Sequence, residues 1–231
     1  MNSFDLSIVS FINRFAQRSP TFDQLVVFLS ISRLLKGGVI VGILWWVWFE
    51  NDDVRRKRET LLAAIIASMP GLLIARVLSA LIYRARPAVE PQLAFRLPYG
   101  MAAAGWQQVS SFPSDHALLF FALATGIFYA SRRIGWFSLV YVSICICLPR
   151  LYLGEHYVTD IVAGAALGVA AVWAANRPAL RRPLTSWALR WMDAKPSQFY
   201  CFAFLVTYQI AELFDPVIKI IEFIVYRHLR S

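Results

Sequence analysis

Charge is scarce in this chain. Asp, Glu, Lys and Arg make up 16% of its residues, where soluble domains carry about a quarter. With 58% hydrophobic residues and a mean hydropathy of +0.55, that deficit excludes an ordinary water-soluble domain and predicts an integral membrane protein. Acidic residues are the rarer sign, 14 against 23 basic ones, for a net charge of +9. The basic residues gather in short segments between apolar runs, with no separate basic domain and no nucleic-acid motif, so nucleic acid is not an expected partner. Cysteine is sparse as well. Cys145, Cys147 and Cys201 lie in apolar stretches, and the spacing of the first two suits neither a redox pair nor a zinc knuckle. They read as packing residues. The opening Met1-Asn2-Ser3-Phe4-Asp5 lacks the basic start of a signal peptide.

What is present is a series of uncharged runs, at 60–75, 117–130, 134–149 and 161–176. Each falls short of the roughly 20 residues that cross a bilayer, and each can be extended by snorkelling residues at its ends. Polar faces at helical spacing are missing from them, which argues against a soluble helical core. The pattern predicts an all-α membrane bundle of about six transmembrane helices in a single domain, 1–231. The spans fall within 23–49, where Arg33 and Lys36 interrupt the first half, then at 60–83, from 116 to Arg132-Arg133, at 134–152 and at 158–176. The last apolar region starts near 199 and is broken at Asp215-Pro216. Ahead of them, Ile8, Phe11, Ile12 and Phe15 share one face of a helix within 1–20, expected to lie on the membrane surface or against the bundle.

The loops expected after spans one, three and five carry four, two and five Lys or Arg. Excess positive charge marks the cytoplasmic side. The opposite side then holds the ends of spans two and four and the starts of spans three and five. The residues with chemistry fall there.

Only three histidines occur, and two keep particular company: Pro113-Ser114-Asp115-His116, and Arg150 followed by His156 and Asp160. Arg84-Ala85-Arg86-Pro87 precedes them. His156 and Asp160 are four apart, so a helix start would put them on one face, where the carboxylate would fix the imidazole tautomer. Arg150 supplies a planar cation matched to phosphate. Pro113 and Ser114 suit a turn entering a helix, whose N-terminus favours an anion; His116 would protonate a leaving oxygen. Read singly, each piece also fits a plainer role, as helix cap, interfacial histidine or basic flank. Together, at successive span ends, they point to phosphate chemistry.

These residues resemble the motifs of the type 2 phosphatidic acid phosphatase family of membrane lipid phosphatases, Lys-X6-Arg-Pro, Pro-Ser-Gly-His and Ser-Arg-X5-His-X3-Asp. The matching core covers about 60–175. The resemblance implies that His156 forms a phosphohistidine, that Asp160 orients it and that His116 is the general acid. It also implies that Arg86, Ser114 and Arg150 hold the phosphate and that no cofactor or metal is needed. Three departures stand out. Ser79 occupies the lysine position, with Arg76 and Arg84 as unaligned substitutes; Asp115 replaces the glycine and joins the candidate phosphate-site residues; Pro149 replaces the serine before Arg150. The Pro-Ser-Asp-His form and the missing lysine resemble the bacitracin-resistance type of undecaprenyl-pyrophosphate phosphatase.

The expected substrate is therefore a lipid phosphate, with undecaprenyl pyrophosphate first and phosphatidylglycerol phosphate, phosphatidic acid and lipid A behind it. The site would face the exterior of a bacterial inner membrane. Phosphotransfer to another acceptor is the neighbouring alternative, and a lipid-binding or transport protein with a degenerate site is the non-enzymatic one. Glu155 is expected in solvent or paired with an arginine, and the connection 88–112 is either a lid or a plain interfacial loop. The sequence sets no oligomeric state.

Overall fold

Helix α5, Asp115–Ala130, is apolar on every side, the pattern of a helix enclosed by others. It forms the axis of the molecule. The computed structural model describes residues 2–103 and 106–213, and among them all regular structure is helical. Around α5 stand α4 (Val54–Leu81), α8 (Val158–Ala175) and a helix running Arg132–Tyr152. The last consists of α6 (Arg132–Tyr141), a π-helical stretch Val142–Cys147 and α7 (Leu148–Tyr152). The π stretch directly precedes Pro149, whose missing N–H and bulky ring disturb the preceding turn.

Three helices, Val54–Leu81, Arg132–Tyr152 and Val158–Ala175, are long and apolar enough to cross a membrane. A fourth crossing is available to α2 (Pro20–Ile31) and α3 (Val39–Phe49), joined by the π turn Leu34–Gly38 and bent by 62°. The expected first span is thus broken where Arg33 and Lys36 interrupt it. At 16 residues α5 is apolar but short. The last region begins as α10, Pro196–Ala211, and its expected break at Asp215-Pro216 lies outside the described residues. Large apolar side chains such as Leu73, Ile74, Trp136, Phe137, Val162 and Phe204 are exposed on the outside of the bundle, as a lipid-facing surface requires.

Two sequence expectations change. The basic stretch after the fifth span, expected as a loop, is helix α9, Pro178–Ala194, which buries Thr185, Ala188, Leu189 and Met192 while Arg182 and Arg190 stay exposed. Helix α1, Ser3–Asn13, does lie against the bundle, but through Asp5 and Val9, with Ala16 continuing that face just beyond it. Phe11 and Phe15, expected on the buried face, point outward. Between α4 and α5 the described residues of the connection form short 3₁₀ turns.

Close packing holds α8 on α5. A Cβ at Gly164 would sit 2.2 Å from the Ser114 carbonyl, and one at Gly168 would sit 2.2 Å from the Leu118 carbonyl. Neither backbone neighbour can yield without moving a helix. Gly168→Val should therefore destabilise the fold by about 1–3 kcal/mol or more and lower the Tm in detergent by several degrees. Gly42→Ala, at a position with nothing within 4 Å, should leave the Tm unchanged. Equal Tm values for the two variants would refute the packing argument.

Candidate active site

The polar residues converge at one end of the bundle, where α4 and α7 end and α5 and α8 begin. Just beyond α4, the Arg84 guanidinium donates to Asp160 Oδ1 at 2.5 Å, Thr159 Oγ1 at 2.8 Å and Asp5 Oδ2 at 2.7 Å. It also lies 3.9 Å from the centre of the Tyr157 ring. Asp5 is fully buried and accepts the Thr159 N–H at 3.1 Å and its hydroxyl at 2.5 Å. Burial raises the Asp5 carboxyl, but the bonds from Thr159 and Arg84 outweigh it and hold the group below its ordinary value.

His156 sits in the turn before α8. Gly154 opens that turn at φ +72°, where a Cβ would also strike Phe95 at 2.6 Å, so glycine is required there. The Nδ1 of His156 is 2.7 Å from the Ser111 carbonyl. A carbonyl only accepts, so Nδ1 carries the proton and Nε2 keeps its lone pair. Burial, reinforced by Arg150, lowers the His156 pKa to about 4. The ring is therefore neutral at physiological pH, with Nε2 unprotonated.

His116 starts α5. Ser114 caps that helix, its hydroxyl accepting the Ala117 N–H at 3.4 Å, and its own N–H donates to the Asp160 carbonyl at 3.1 Å. Asp115 Oδ1 accepts the His116 N–H at 2.8 Å and lies 2.9 Å from His116 Nδ1. The Nε2 of His116 is buried with no protein partner among the described residues, and so are Arg86 Nε and Arg150 Nε. Arg86 stands 5.3 Å from the Trp106 ring centre. Arg150 pairs with Glu155, which also accepts the Ser30 hydroxyl at 3.1 Å. Burial raises the Glu155 carboxyl, but Arg150 and the other site cations outweigh it and leave it below its ordinary value. Arg86, Arg150, Asp115, Glu155 and both imidazoles lie within one another's electrostatic reach.

The structure thus gathers His116, His156, Asp160, Arg84, Arg86, Ser114, Asp115 and Arg150, but redistributes their tasks. Asp160 does not hold His156. Its carboxylate takes Arg84 and the Tyr157 N–H, the latter at 2.8 Å. The four-residue spacing puts both on one face only inside a helix, and α8 begins at Val158; His156 lies before it. Arg84, expected as a possible phosphate ligand, is committed to two carboxylates. Asp115, expected in the same set, faces the His116 ring instead. Arg76 is exposed on α4 beside Val77, while Leu72 and Ala75 of the same helix are buried; helical phase turns it away. Glu155 is buried and paired with Arg150, as one of its two expected environments required.

Asp5, Thr159 and Ser111 went unnoticed in the sequence. Asp5 carried a signal, because it lies on one helical face with Val9, Ile12 and Ala16. Ser111 carried none, since it acts through its carbonyl. Among the described residues no three His, Cys, Asp or Glu side chains converge as a metal-ligand set.

Two measurements follow. In histidine-selective NMR, His156 should titrate near its lowered value of about 4, so that acidification below the ordinary imidazole value also lowers stability, the unfolded chain binding that proton more readily; a midpoint at 6.5 or above would contradict the burial argument. Asp115→Asn should reduce kcat roughly ten- to hundred-fold by weakening the proton donor, with KM nearly constant. An unchanged kcat would remove Asp115 from the acid's environment.

The family model described as the PAP2 superfamily matches residues 58–182. The chain is 26% identical over 170 residues to the bacitracin transport permease protein BcrC of Bacillus licheniformis, covering 73% of this chain and 77% of that protein. It is 24% identical over 158 residues to the undecaprenyl-diphosphatase BcrC of Bacillus subtilis, covering 68% and 75% respectively. A crystal structure of a transmembrane PAP2 type phosphatidylglycerolphosphate phosphatase from Bacillus subtilis aligns with a TM-score of 0.49 and 21% identity over 74% of this chain and 82% of that one. With its catalytic-end histidines and arginines inside a match that takes in more than half of its length, the chain belongs to the PAP2 superfamily.

Proposed function

We propose that this membrane phosphatase hydrolyses undecaprenyl pyrophosphate to undecaprenyl phosphate, with His156 as nucleophile. The observation that carries the reading is the His156 ring held at Nδ1 by the Ser111 carbonyl, which leaves Nε2 free to attack among buried arginines. Nε2 attacks the terminal phosphorus; the N–P bond forms as the bridging P–O bond breaks. His116, its Nδ1–H donated to Asp115, acts as the imidazolium and gives its Nε2 proton to the departing lipid phosphate. Water, deprotonated by the same nitrogen, then attacks phosphohistidine and releases inorganic phosphate. Arg86 and Arg150 stabilise the charge that develops on the transferring group, and Ser114 adds a hydroxyl donor. No step calls for a metal.

Two facts favour a polyprenyl pyrophosphate over a glycerolipid. The Bacillus subtilis relative is named an undecaprenyl-diphosphatase, and the Pro-Ser-Asp-His form of the second motif resembles that group. The site end is assigned to the exterior face because the segments at the other end carry the larger share of Lys and Arg, which suits recycling of a carrier lipid on the outer leaflet of a bacterial inner membrane. The Bacillus licheniformis relative is named a transport permease, and a transport role would require no turnover.

The test is phosphate release in detergent with EDTA from undecaprenyl pyrophosphate, phosphatidic acid and phosphatidylglycerol phosphate, for wild type and His156→Ala. The expected result is release fastest from the polyprenyl substrate and reduced at least a thousand-fold, on the order seen when a nucleophile is removed, in a variant with wild-type Tm. Preference for a glycerolipid would overturn the substrate, and no release from any would overturn the enzymatic reading.

A further inference from the structure

The N-terminal helix lies outside the residues matched by the family model, yet it delivers a fully buried carboxylate to the nucleophile's supports. Asp5 faces both segments that hold His156. On one side its Oδ2 takes Arg84 at 2.7 Å. The Arg84 carbonyl in turn accepts the Ser111 N–H at 2.8 Å, and the Ser111 carbonyl is the atom that fixes His156 Nδ1, at 2.7 Å. On the other side Asp5 Oδ1 accepts the N–H of Thr159 at 3.1 Å, in the first turn of α8 and three residues beyond the nucleophile.

The same N-terminal segment is fastened to the connection between α4 and α5. Asn13 exchanges two hydrogen bonds with the Arg96 backbone, at 2.8 and 2.9 Å, and the Gln17 amide donates to the Leu97 carbonyl at 2.9 Å. Buried Asp23 accepts the N–H groups of Gln17 at 3.0 Å and Tyr99 at 2.9 Å, and the Tyr152 hydroxyl. A helix resting on lipid alone needs none of these contacts. A buried carboxylate is costly unless it is paired, so Asp5 belongs to the assembled site.

We propose that Asp5 is a positioning residue for the reaction: α1 clasps the Arg84–Ser111 segment to the start of α8 and thereby sets the orientation of the His156 ring. Its kinetic consequence rests on the phosphatase reading given above. Misplacing a reacting group by a fraction of an ångström slows the chemical step without weakening substrate binding.

Asp5→Asn keeps the volume and an acceptor for Thr159 but removes the charge that holds Arg84. Expected is a fall in kcat per folded molecule of roughly ten- to hundred-fold, with KM within about twofold, a lowered Tm because one member of a buried ion pair is lost, and rescue of most of the rate by Asp5→Glu. Because Asp5 acts through Arg84, the double variant Asp5→Asn/Arg84→Gln should be no slower than Arg84→Gln alone. Loss of rate only in proportion to loss of folded protein, or additive losses in the double variant, would overturn the proposal. Thr159→Val, which keeps the backbone donor, supplies a milder break of the same clasp and should lower kcat in the same direction. A second readout needs no substrate. The Nδ1–H proton of His156, sheltered in the wild type, should exchange faster with water in histidine-selective NMR of Asp5→Asn, and an unchanged exchange rate would refute the clasp. Should the wild type release no phosphate at all, the phosphatase reading falls while the NMR comparison still decides the role of Asp5.

Discussion

One cation between two buried carboxylates organises this end of the molecule. Arg84 bonds Asp5 at 2.7 Å and Asp160 at 2.5 Å, and both acids are wholly out of solvent. Neither acid can stay ionised in such a place without a partner, and taking one member from a buried ion pair typically costs about 3–5 kcal/mol. Geometry therefore follows from charge. The end of α4, the start of α8 and the N-terminal helix must meet at one point, although they lie far apart in the chain. Once they meet, the Arg84 carbonyl fixes Ser111 and Ser111 fixes the His156 ring.

The remaining charges complement that arrangement. Two helices, α5 and α8, begin at this end, and helix N-termini present positive partial charge and unpaired N–H groups. Asp115 and Asp160 sit in those first turns, where a carboxylate is favoured, and each is spent on a protein partner. What is left for an anion is Arg86 and the one free edge of Arg150, whose Nε atoms have no protein partner among the described residues. Arg150 gives its other side to Glu155, which limits the net positive charge the buried site must sustain.

Much of this was legible in the sequence. Uncharged runs mark the spans, and the three motif-bearing segments, 84–87, 113–116 and 150–160, are expected at one membrane face. The failures share a cause. Spacing rules assume that a helix is present, and His156 lies just outside one, so its carboxylate partner was misassigned. Helical phase decides whether Arg76 faces the site, and no motif reports phase. Asp5 is isolated in sequence from everything it touches. The Ser111 contact is made by backbone, which every residue type supplies alike. Amphipathic α9 was read as a loop because its basic residues outweighed the periodicity of Thr185, Ala188, Leu189 and Met192.

The broken first span turns an apparent defect into part of the site. A membrane helix avoids Arg33 and Lys36 at mid-depth unless protein surrounds them, because each charge costs several kcal/mol in hydrocarbon. The 62° bend between α2 and α3 supplies a carboxylate partner, although the Arg33 side chain stays 66% exposed. It brings Arg33 to 2.8 Å from buried Glu212, sets the Leu35 carbonyl on the Tyr141 hydroxyl at 2.5 Å and places Lys36 within electrostatic reach of the His116 imidazole. Just before the bend, Ser30 reaches Glu155, one residue from His156. Irregular backbone at membrane depth is tolerated where it packs on protein, and here Gly37 lies too close to the Ala211 backbone to admit a Cβ, while Ser30 bonds Glu155. The stretch that interrupts the first span thus also carries its contact with the site.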